Sequence, residues 1–476
     1  METTIGAALP ALAAVAPERV ALVCDSERLS RAAFAARVDS LSRWLGARTA
    51  PGAGIALAMV NDPALVELFF ACAVSGRQAL VYDPGWPSST RTAIDAALAP
   101  ALTLDAAPAL DDTPGPPPAP PTPDTPFYVG FTSGSTGIPK GYRRSHRSWI
   151  DSFTVTAVEF GLTPDDVVMA PGGLAASLHL YAIVHALHIG ARAVMMRAFH
   201  PRRALRLIAR EAVSVLYLTP TQLQMLVEAG QGVPCPGVRL ILISGAKWRA
   251  DTRAAVERLF PGAAIGEFYG ASELSFVTIA HPNEPVPPGS VGRAAHGVTL
   301  SIRDAQGREL PAGEAGAIWV GSTLLFDGYA CGGSAELGHA DGFMSVGDHG
   351  RLDAAGFLYL HGREKRMLVT AGLNVYPEEV EAVLTRLPGI EEAAVFGMAD
   401  DLRGVELVAV LRGIFPAEGP DVAALRAQCR AFLPAAKIPR RFLALADWPR
   451  TSGGKADLRA LEEMARARLS HARLGR

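Results

Sequence analysis

Apolar residues recur along the first hundred positions as short runs alternating with one-sided stripes. Val20–Cys24 is a continuous apolar run and predicts a strand, and 32–46 places its apolar positions on one helical face. A strand at 54–60, a helix at 63–75 and a strand at 78–83 follow. This alternation predicts βαβ units with a parallel sheet. Residues 104–126 break the pattern. Pro114-Gly115-Pro116-Pro117-Pro118-Ala119-Pro120-Pro121 can form neither a helix nor a central strand, so it predicts an exposed connection. Beyond it, 213–218 and 240–244 predict buried strands, 250–259 a helix and 264–269 another strand. From 298 to 359 the pattern changes to short strands with Gly-rich turns. A final unit opens a helix at Pro377-Glu378-Glu379, where proline suits the first turn and carboxylates suit the helix N-terminus. Strands at 393–396 and 405–411 and a helix at 422–432 complete it. The expected boundary falls near 362–366, dividing the chain into 1–362 and 363–476, and no internal repeat is present.

One segment, 167–191, carries no Asp, Glu, Lys or Arg and is long enough to span a bilayer. Pro171, Gly172, Gly173, His179, His185 and His188 interrupt it. A loop leading into a buried helix is the expected structure, with no membrane span. A chain of 476 residues exceeds a single domain at roughly 100–200 residues each. Its 49% apolar and 19% charged residues supply a large core, which excludes disorder along the whole chain. The net charge of −2 gives no electrostatic reason for a nucleic acid partner or an anionic membrane. Cys24, Cys72, Cys235, Cys331 and Cys429 are odd in number and widely spaced, which fits neither a zinc pattern nor a disulfide framework. Met1-Glu2 opens without a basic leader, so reduced thiols in a cytoplasmic protein are expected.

Of 45 basic residues only five are lysine: Lys140, Lys247, Lys365, Lys437 and Lys455. In a chain so biased toward Arg, retained lysines mark places where a compact ammonium differs from a planar fork. The first ends the segment Tyr128-Val129-Gly130-Phe131-Thr132-Ser133-Gly134-Ser135-Thr136-Gly137-Ile138-Pro139-Lys140-Gly141. An apolar strand runs there into a loop of Gly, Ser and Thr. Glycines admit close backbone approach, and hydroxyls with successive N–H groups form an anion-binding concavity. The loop therefore predicts phosphate binding. It is neither a Walker A sequence nor a G-x-S-x-G elbow.

This segment resembles the signature loop of the adenylate-forming (AMP-binding) superfamily, which includes acyl-CoA synthetases, luciferase-like enzymes and peptide synthetase adenylation domains. Further segments resemble the other family motifs in order. Ser244-Gly245-Ala246-Lys247 is similar to the adenine-side loop, and Gly266-Glu267-Phe268-Tyr269-Gly270-Ala271-Ser272-Glu273 to the Y-G-x-[ST]-E motif. Ser345-Val346-Gly347-Asp348-His349-Gly350 resembles the G-D motif, Gly362-Arg363-Glu364-Lys365 the hinge, and Ala371-Gly372-Leu373-Asn374-Val375-Tyr376-Pro377 the thiol-tunnel loop. Lys437 lies in a segment resembling a structural part of the small domain. Pro449-Arg450-Thr451-Ser452-Gly453-Gly454-Lys455 resembles P-x-T-x-x-G-K. All five lysines fall in or beside these segments.

The resemblance implies an α/β fold. It has a large N-terminal domain of mixed, mostly parallel sheets with helices and a small distorted barrel, then a small mobile α+β C-terminal domain. It assigns ATP binding to Thr132, Ser133, Gly134, Ser135, Thr136, Gly137, Lys140, Gly245, Ala246, Tyr269, Gly270, Ser272, Asp348 and Arg363. Glu273 becomes the Mg2+ carboxylate, Lys455 the catalytic lysine, Lys365 the hinge and Gly372 part of the thiol tunnel. The implied chemistry is activation of a carboxylic acid with ATP, followed by transfer to the thiol of CoA or of a phosphopantetheinyl carrier protein. A non-catalytic nucleotide-binding protein of the same fold is the alternative from another class. The acyl-site segment departs from the family: Pro171-Gly172-Gly173-Leu174-Ala175-Ala176-Ser177 offers small residues where the family often has an aromatic or His. The absence of an Asp there disfavours an α-amino acid, whose ammonium needs a carboxylate partner. His179 either faces the acyl pocket or sits in the core.

Overall fold

The computed structural model describes residues 4–110, 115–132, 139–230, 233–245, 252–282, 284–333, 337–363, 366–370, 373–400, 404–416, 419–451 and 455–474. The chain forms two compact units. One comprises 1–300, 320–335 and 339–344; the other comprises 301–319, 336–338 and 345–476.

The first unit holds two sheets. The larger runs Arg293–Ala294, Ser275–Ala280, Ala264–Ala271, Leu240–Ile243, Val215–Leu218, Val167–Ala170, Arg192–Met195, Val20–Cys24, Glu27–Ser30. Its five central pairings are parallel, and antiparallel pairs finish both edges. The smaller runs Tyr329–Cys331, Lys140–Ser145, Pro126–Thr132, Gln78–Val81, Gly54–Leu57, Leu102–Leu104. The apolar runs become strands because both sheet faces are covered: Val215–Leu218 and Leu240–Ile243 are buried throughout.

Local chemistry sets the helix starts. The Ser30 hydroxyl accepts from the Ala33 N–H and opens Arg31–Arg48 one residue earlier than the apolar stripe indicates. Asp62 caps Pro63–Val74, a helix apolar on nearly every side and therefore buried nearly all round. The uncharged segment resolves into the buried strand Val167–Ala170 and the helix Ser177–Ile189, joined by the Gly-rich loop. Among the described residues no helix is long and apolar enough to cross a membrane. The proline segment is only partly an exposed connection. Gly115, Pro118 and Pro121 are half-buried while the residues between them are exposed, and Arg43 of the helix Arg31–Arg48 donates to the Gly115 carbonyl at 3.3 Å. A three-residue period is that of a polyproline II helix.

The second unit contains a three-stranded sheet ordered Ile390–Asp400, Gly404–Gly413, Arg441–Ala444, with the last two parallel. The helices Pro377–Leu384, Val422–Cys429 and Leu458–Leu474 accompany it. Val380, Leu384, Leu411, Leu425 and Phe442 share one core. The antiparallel pair Asp348–Leu352 and Leu358–Arg363 belongs to this unit too. The expected small barrel is corrected to an open arrangement: among the described residues, Leu358–Arg363 pairs with Asp348–Leu352 on one side and ends the sheet there. Repeated Gly-rich turns give short strands that end before a ring can close.

Candidate active site

In the first unit the sequence-predicted residues gather where the two sheets deliver strand ends. Thr132 and Lys140 face each other across the hairpin of Pro126–Thr132 and Lys140–Ser145. Ser133, Gly134, Ser135, Thr136 and Gly137, between them, lie outside the described residues, as do Ala246, Lys247, Lys365 and Gly372. Gly245 follows Leu240–Ile243 with φ +95°, a conformation that favours glycine. The neighbouring Ser244 hydroxyl donates to the Phe268 carbonyl at 3.0 Å, which ties this turn to the strand bearing Tyr269 and Gly270. A side chain at Gly270 would meet the Ser275 carbonyl oxygen at 2.1 Å, so the hairpin carrying Ser272 and Glu273 closes only with glycine there.

Beneath that hairpin lies a buried hydroxyl network. The hydroxyls of Tyr128 and Tyr142 are 2.9 Å apart, and those of Ser177 and Ser272 are 3.5 Å apart. The Tyr142 hydroxyl also bonds to Ser177 and Ser272. Arg144 completes it: at 1% exposure it donates through Nη1 to the Ser272 carbonyl and through Nη2 to the Ser148 carbonyl, both at 3.3 Å. Burial pulls the Arg144 pKa down to about 10, while Tyr142, Asp327 and Glu273 push it up, so it remains a cation at neutral pH. Arg144 is thus a buried positive charge set under the Ser272–Glu273 turn.

Glu273 is itself buried. Its carbonyl accepts from the Phe326 N–H at 2.9 Å, and its carboxylate Oε1 accepts from the Tyr329 hydroxyl at 2.8 Å. The ring of Tyr329 also lies 5.8 Å from the Lys140 ammonium. Magnesium takes hard oxygens and usually keeps waters and substrate phosphates with one or two carboxylates. A single buried carboxylate oriented by a phenol fits that demand. Among the described residues no cluster of three or more His, Cys, Asp or Glu could hold an all-protein metal site.

The second unit carries the remaining residues. Asp348 and Arg363 are register partners, and Arg363 Nε donates to Asp348 Oδ1 at 3.0 Å. Lys455 is exposed as a residue, but desolvation of its ammonium, and secondly the Arg363 charge, lowers its pKa. Its carbonyl accepts from the Thr451 N–H at 2.8 Å. Lys437 pairs with Glu379 at 2.6 Å, an ion pair at the start of the helix Pro377–Leu384.

His179 is buried against the acyl-site loop. The ring is 2% exposed, and a side chain at Gly172 would meet its Nε2 at 2.0 Å. Asn61, absent from the sequence reading, staples this loop: its amide donates to the Gly172 and Met196 carbonyls and accepts from the Leu174 N–H, at 2.8–2.9 Å. Arg144 and Tyr329 were equally absent. The alternation Tyr142-x-Arg144 along one strand was the available signal for Arg144, because it places the two on one face. Tyr329 had no local signal.

The chain matches the AMP-binding enzyme family over residues 87–330 and the AMP-binding enzyme C-terminal domain over 379–455. It belongs to the AMP-binding enzyme family. It is 36% identical over 464 residues to the uncharacterised acyl–CoA ligase YhfT of Bacillus subtilis, covering 93% of this chain and 94% of the relative. The sulfoacetate–CoA ligase of Cupriavidus necator is 33% identical over 374 residues, 76% of this chain and 71% of the relative. Among solved structures, the o-succinylbenzoate CoA synthetase MenE of Bacillus subtilis in complex with an acyl-adenylate aligns with a TM-score of 0.84 at 25% identity. That alignment covers 95% of this chain and 96% of the other. The same synthetase with ATP and magnesium aligns at 0.83 and 25% identity, over 95% and 98% of the two chains.

Proposed function

We propose that the protein activates a carboxylic acid with ATP and transfers the acyl group to the thiol of CoA. In the first step a carboxylate oxygen attacks the α-phosphorus of ATP. An O–P bond forms, the bond to the β-phosphate breaks, and pyrophosphate leaves with the acyl-adenylate behind. In the second step the thiol sulfur attacks the acyl carbon and loses its proton to solvent, a C–S bond forms, and AMP leaves. Both reactants of the first step are anions, so the site must neutralise charge before they meet.

This chain's residues are suited to that task. Lys140 and the loop before it receive the phosphates, Tyr269 and Gly245 border the adenine, and Ser272 offers a hydroxyl to phosphate. Asp348 accepts from the ribose hydroxyls while Arg363 steadies its carboxylate, and Lys455 neutralises the meeting of carboxylate and α-phosphate. Glu273 would hold magnesium, which when bound supplies further neutralisation of the phosphates. Rotation of 363–476 about Lys365, with Gly372 lining the thiol path, is part of the same reading.

The observation that carries it is the Glu273 carboxylate, buried and oriented in a motif hairpin of a chain matching an acyl–CoA ligase over nearly its whole length. CoA is favoured over a carrier protein because the curated relatives are named CoA ligases. The five unpaired thiols support a reducing, cytoplasmic setting. The test is ATP–pyrophosphate exchange across fatty, aryl and dicarboxylic acids, followed by thioester formation with CoA. Acid-dependent exchange plus CoA thioester is expected. Exchange with no thioester unless a carrier protein is added would replace CoA by that acceptor, and no acid-dependent exchange would remove the enzymatic reading.

A further inference from the structure

Glu273 is held at two points by one short segment. The Phe326 N–H bonds its carbonyl at 2.9 Å, and the Tyr329 hydroxyl bonds its carboxylate at 2.8 Å. The segment is itself fixed. Tyr329–Cys331 adds as an edge strand to Lys140–Ser145, with Tyr329 opposite Tyr142, and the Phe326 and Tyr329 rings meet edge to face at 4.9 Å. The Arg143 N–H donates to the Gly328 carbonyl at 2.9 Å, and the Asp327 N–H donates to the Arg143 carbonyl at 3.0 Å. The same Tyr329 ring faces the Lys140 ammonium.

We infer that Tyr329 is a positioning residue: its hydroxyl fixes the Glu273 carboxylate in the rotamer that receives magnesium, and its ring keeps Lys140 beside it. This rests on the reading of Glu273 as the magnesium ligand. A carboxylate on free χ angles loses rotamer entropy when it binds a metal, and one already bonded to a rigid donor has lost most of it beforehand. A phenol donating to one carboxylate oxygen also limits the directions in which the other can point. Outer partners of metal ligands are typically worth 10–100-fold in affinity. Tyr329 joins the two cationic sites on the phosphates into one unit: the metal through its hydroxyl and Lys140 through its ring.

The experiment compares the full-length wild type, Tyr329→Phe and Glu273→Gln. Phenylalanine keeps the ring beside Lys140 and removes only the hydroxyl. Two quantities are measured: the Mg2+ concentration giving half-maximal pyrophosphate exchange, and ATP affinity by calorimetry with and without Mg2+. Tyr329→Phe is expected to raise the magnesium requirement by on the order of tenfold, more than it lowers the rate at saturating metal. It should also lose most of the magnesium-dependent gain in ATP affinity while binding metal-free ATP like the wild type. In the Glu273→Gln background the same change should add little, because the two act as one device. Wild-type metal dependence in Tyr329→Phe, with Glu273→Gln impaired, would overturn the inference alone. Unaltered metal dependence in Glu273→Gln would overturn the magnesium reading and the inference together. If the Phe variant does not fold, 3-fluorotyrosine at position 329 gives a second readout. Its fluorine resonance should move on adding Mg2+ to the ATP complex, and a resonance that does not move would overturn the inference.

Discussion

Arg363 and Asp348 sit opposite each other on paired strands, and the guanidinium holds the carboxylate at 3.0 Å through Nε. Arg363 is more than half exposed whereas Asp348 is buried, so the pair presents an oriented acceptor with a cation at its rim. As a stability element it contributes little, since partly exposed ion pairs are worth about 0–1 kcal/mol. Asp348→Ala should therefore melt close to the wild type. It should raise KM for ATP by roughly tenfold or more, the cost of losing hydrogen bonds to a charged group. Initial rates at varied ATP check this, and an unchanged KM removes Asp348 from the ribose.

Lys455→Ala should remove adenylate formation and spare thioester formation. The charge of the lysine is wanted only where carboxylate and phosphate meet. Removing such a stabiliser costs on the order of 10²–10³ in rate. Supplied with synthetic acyl-adenylate and CoA, the variant should turn over near the normal rate. Equal loss in both steps contradicts this division of labour. The wild type carries a pH signature as well. Desolvation first, and Arg363 second, favour the neutral amine. The ammonium is therefore lost as pH rises through a value below the ordinary lysine range, and adenylation should fall on that alkaline limb.

Three buried histidines and the half-buried His188 predict acid sensitivity. Desolvation holds His146 and His185 at about 3 and His179 and His188 at about 4, and the charge of His188 adds to the effect on the first two. His146 Nδ1 accepts the Ile5 N–H, and His185 stacks on Phe153 at 4.4 Å, so both are packed as neutral rings. The unfolded chain takes up protons below about pH 6.5 while the fold does not. Stability should therefore fall as pH drops from about 6.5 toward 4, by up to about 1.4 kcal/mol per histidine per pH unit. Denaturant midpoints between pH 7.5 and 5 check this, and a flat profile would mean that these rings are solvated.

Gly130→Ala should destabilise the protein although its backbone is ordinary. A Cβ there would lie 2.1 Å from both the Tyr128 and Tyr142 hydroxyls, which have no room to retreat. Overpacking of this kind costs about 1–3 kcal/mol. Adding Tyr128→Phe removes one of the two obstructing hydroxyls and should recover part of the loss in thermal melts. A double variant no better than the single one would place the strain elsewhere.

What the chain discloses by itself divides along a physical line. Strands buried on both faces announce themselves as apolar runs, which is why 213–218 and 240–244 contain the observed strands Val215–Leu218 and Leu240–Ile243. The motif residues were legible because their chemistry is local: glycines where backbones approach, a carboxylate in a tight hairpin. Arg144 was hidden, because in an arginine-rich chain a two-residue alternation alone does not distinguish a buried guanidinium from dozens of solvated ones. Tyr329 was hidden because its partner lies 56 positions away. Element ends moved by a few residues where caps and edge pairing, rather than periodicity, decide them: 393–396 extends to Ile390–Asp400 as one arm of a long antiparallel pair.

The proline segment between Leu102–Leu104 and Pro126–Thr132 also matters to anyone handling the protein. Its inward residues, Gly115, Pro118 and Pro121, face the neighbourhood of Arg43, Gly46 and Gly76, whereas Pro116, Pro117, Ala119 and Pro120 face water. Exposed segments with few backbone hydrogen bonds are where foreign sequence is accepted. An affinity tag or fluorescent domain spliced between Pro116 and Pro117 would be displayed on the outside of the first unit.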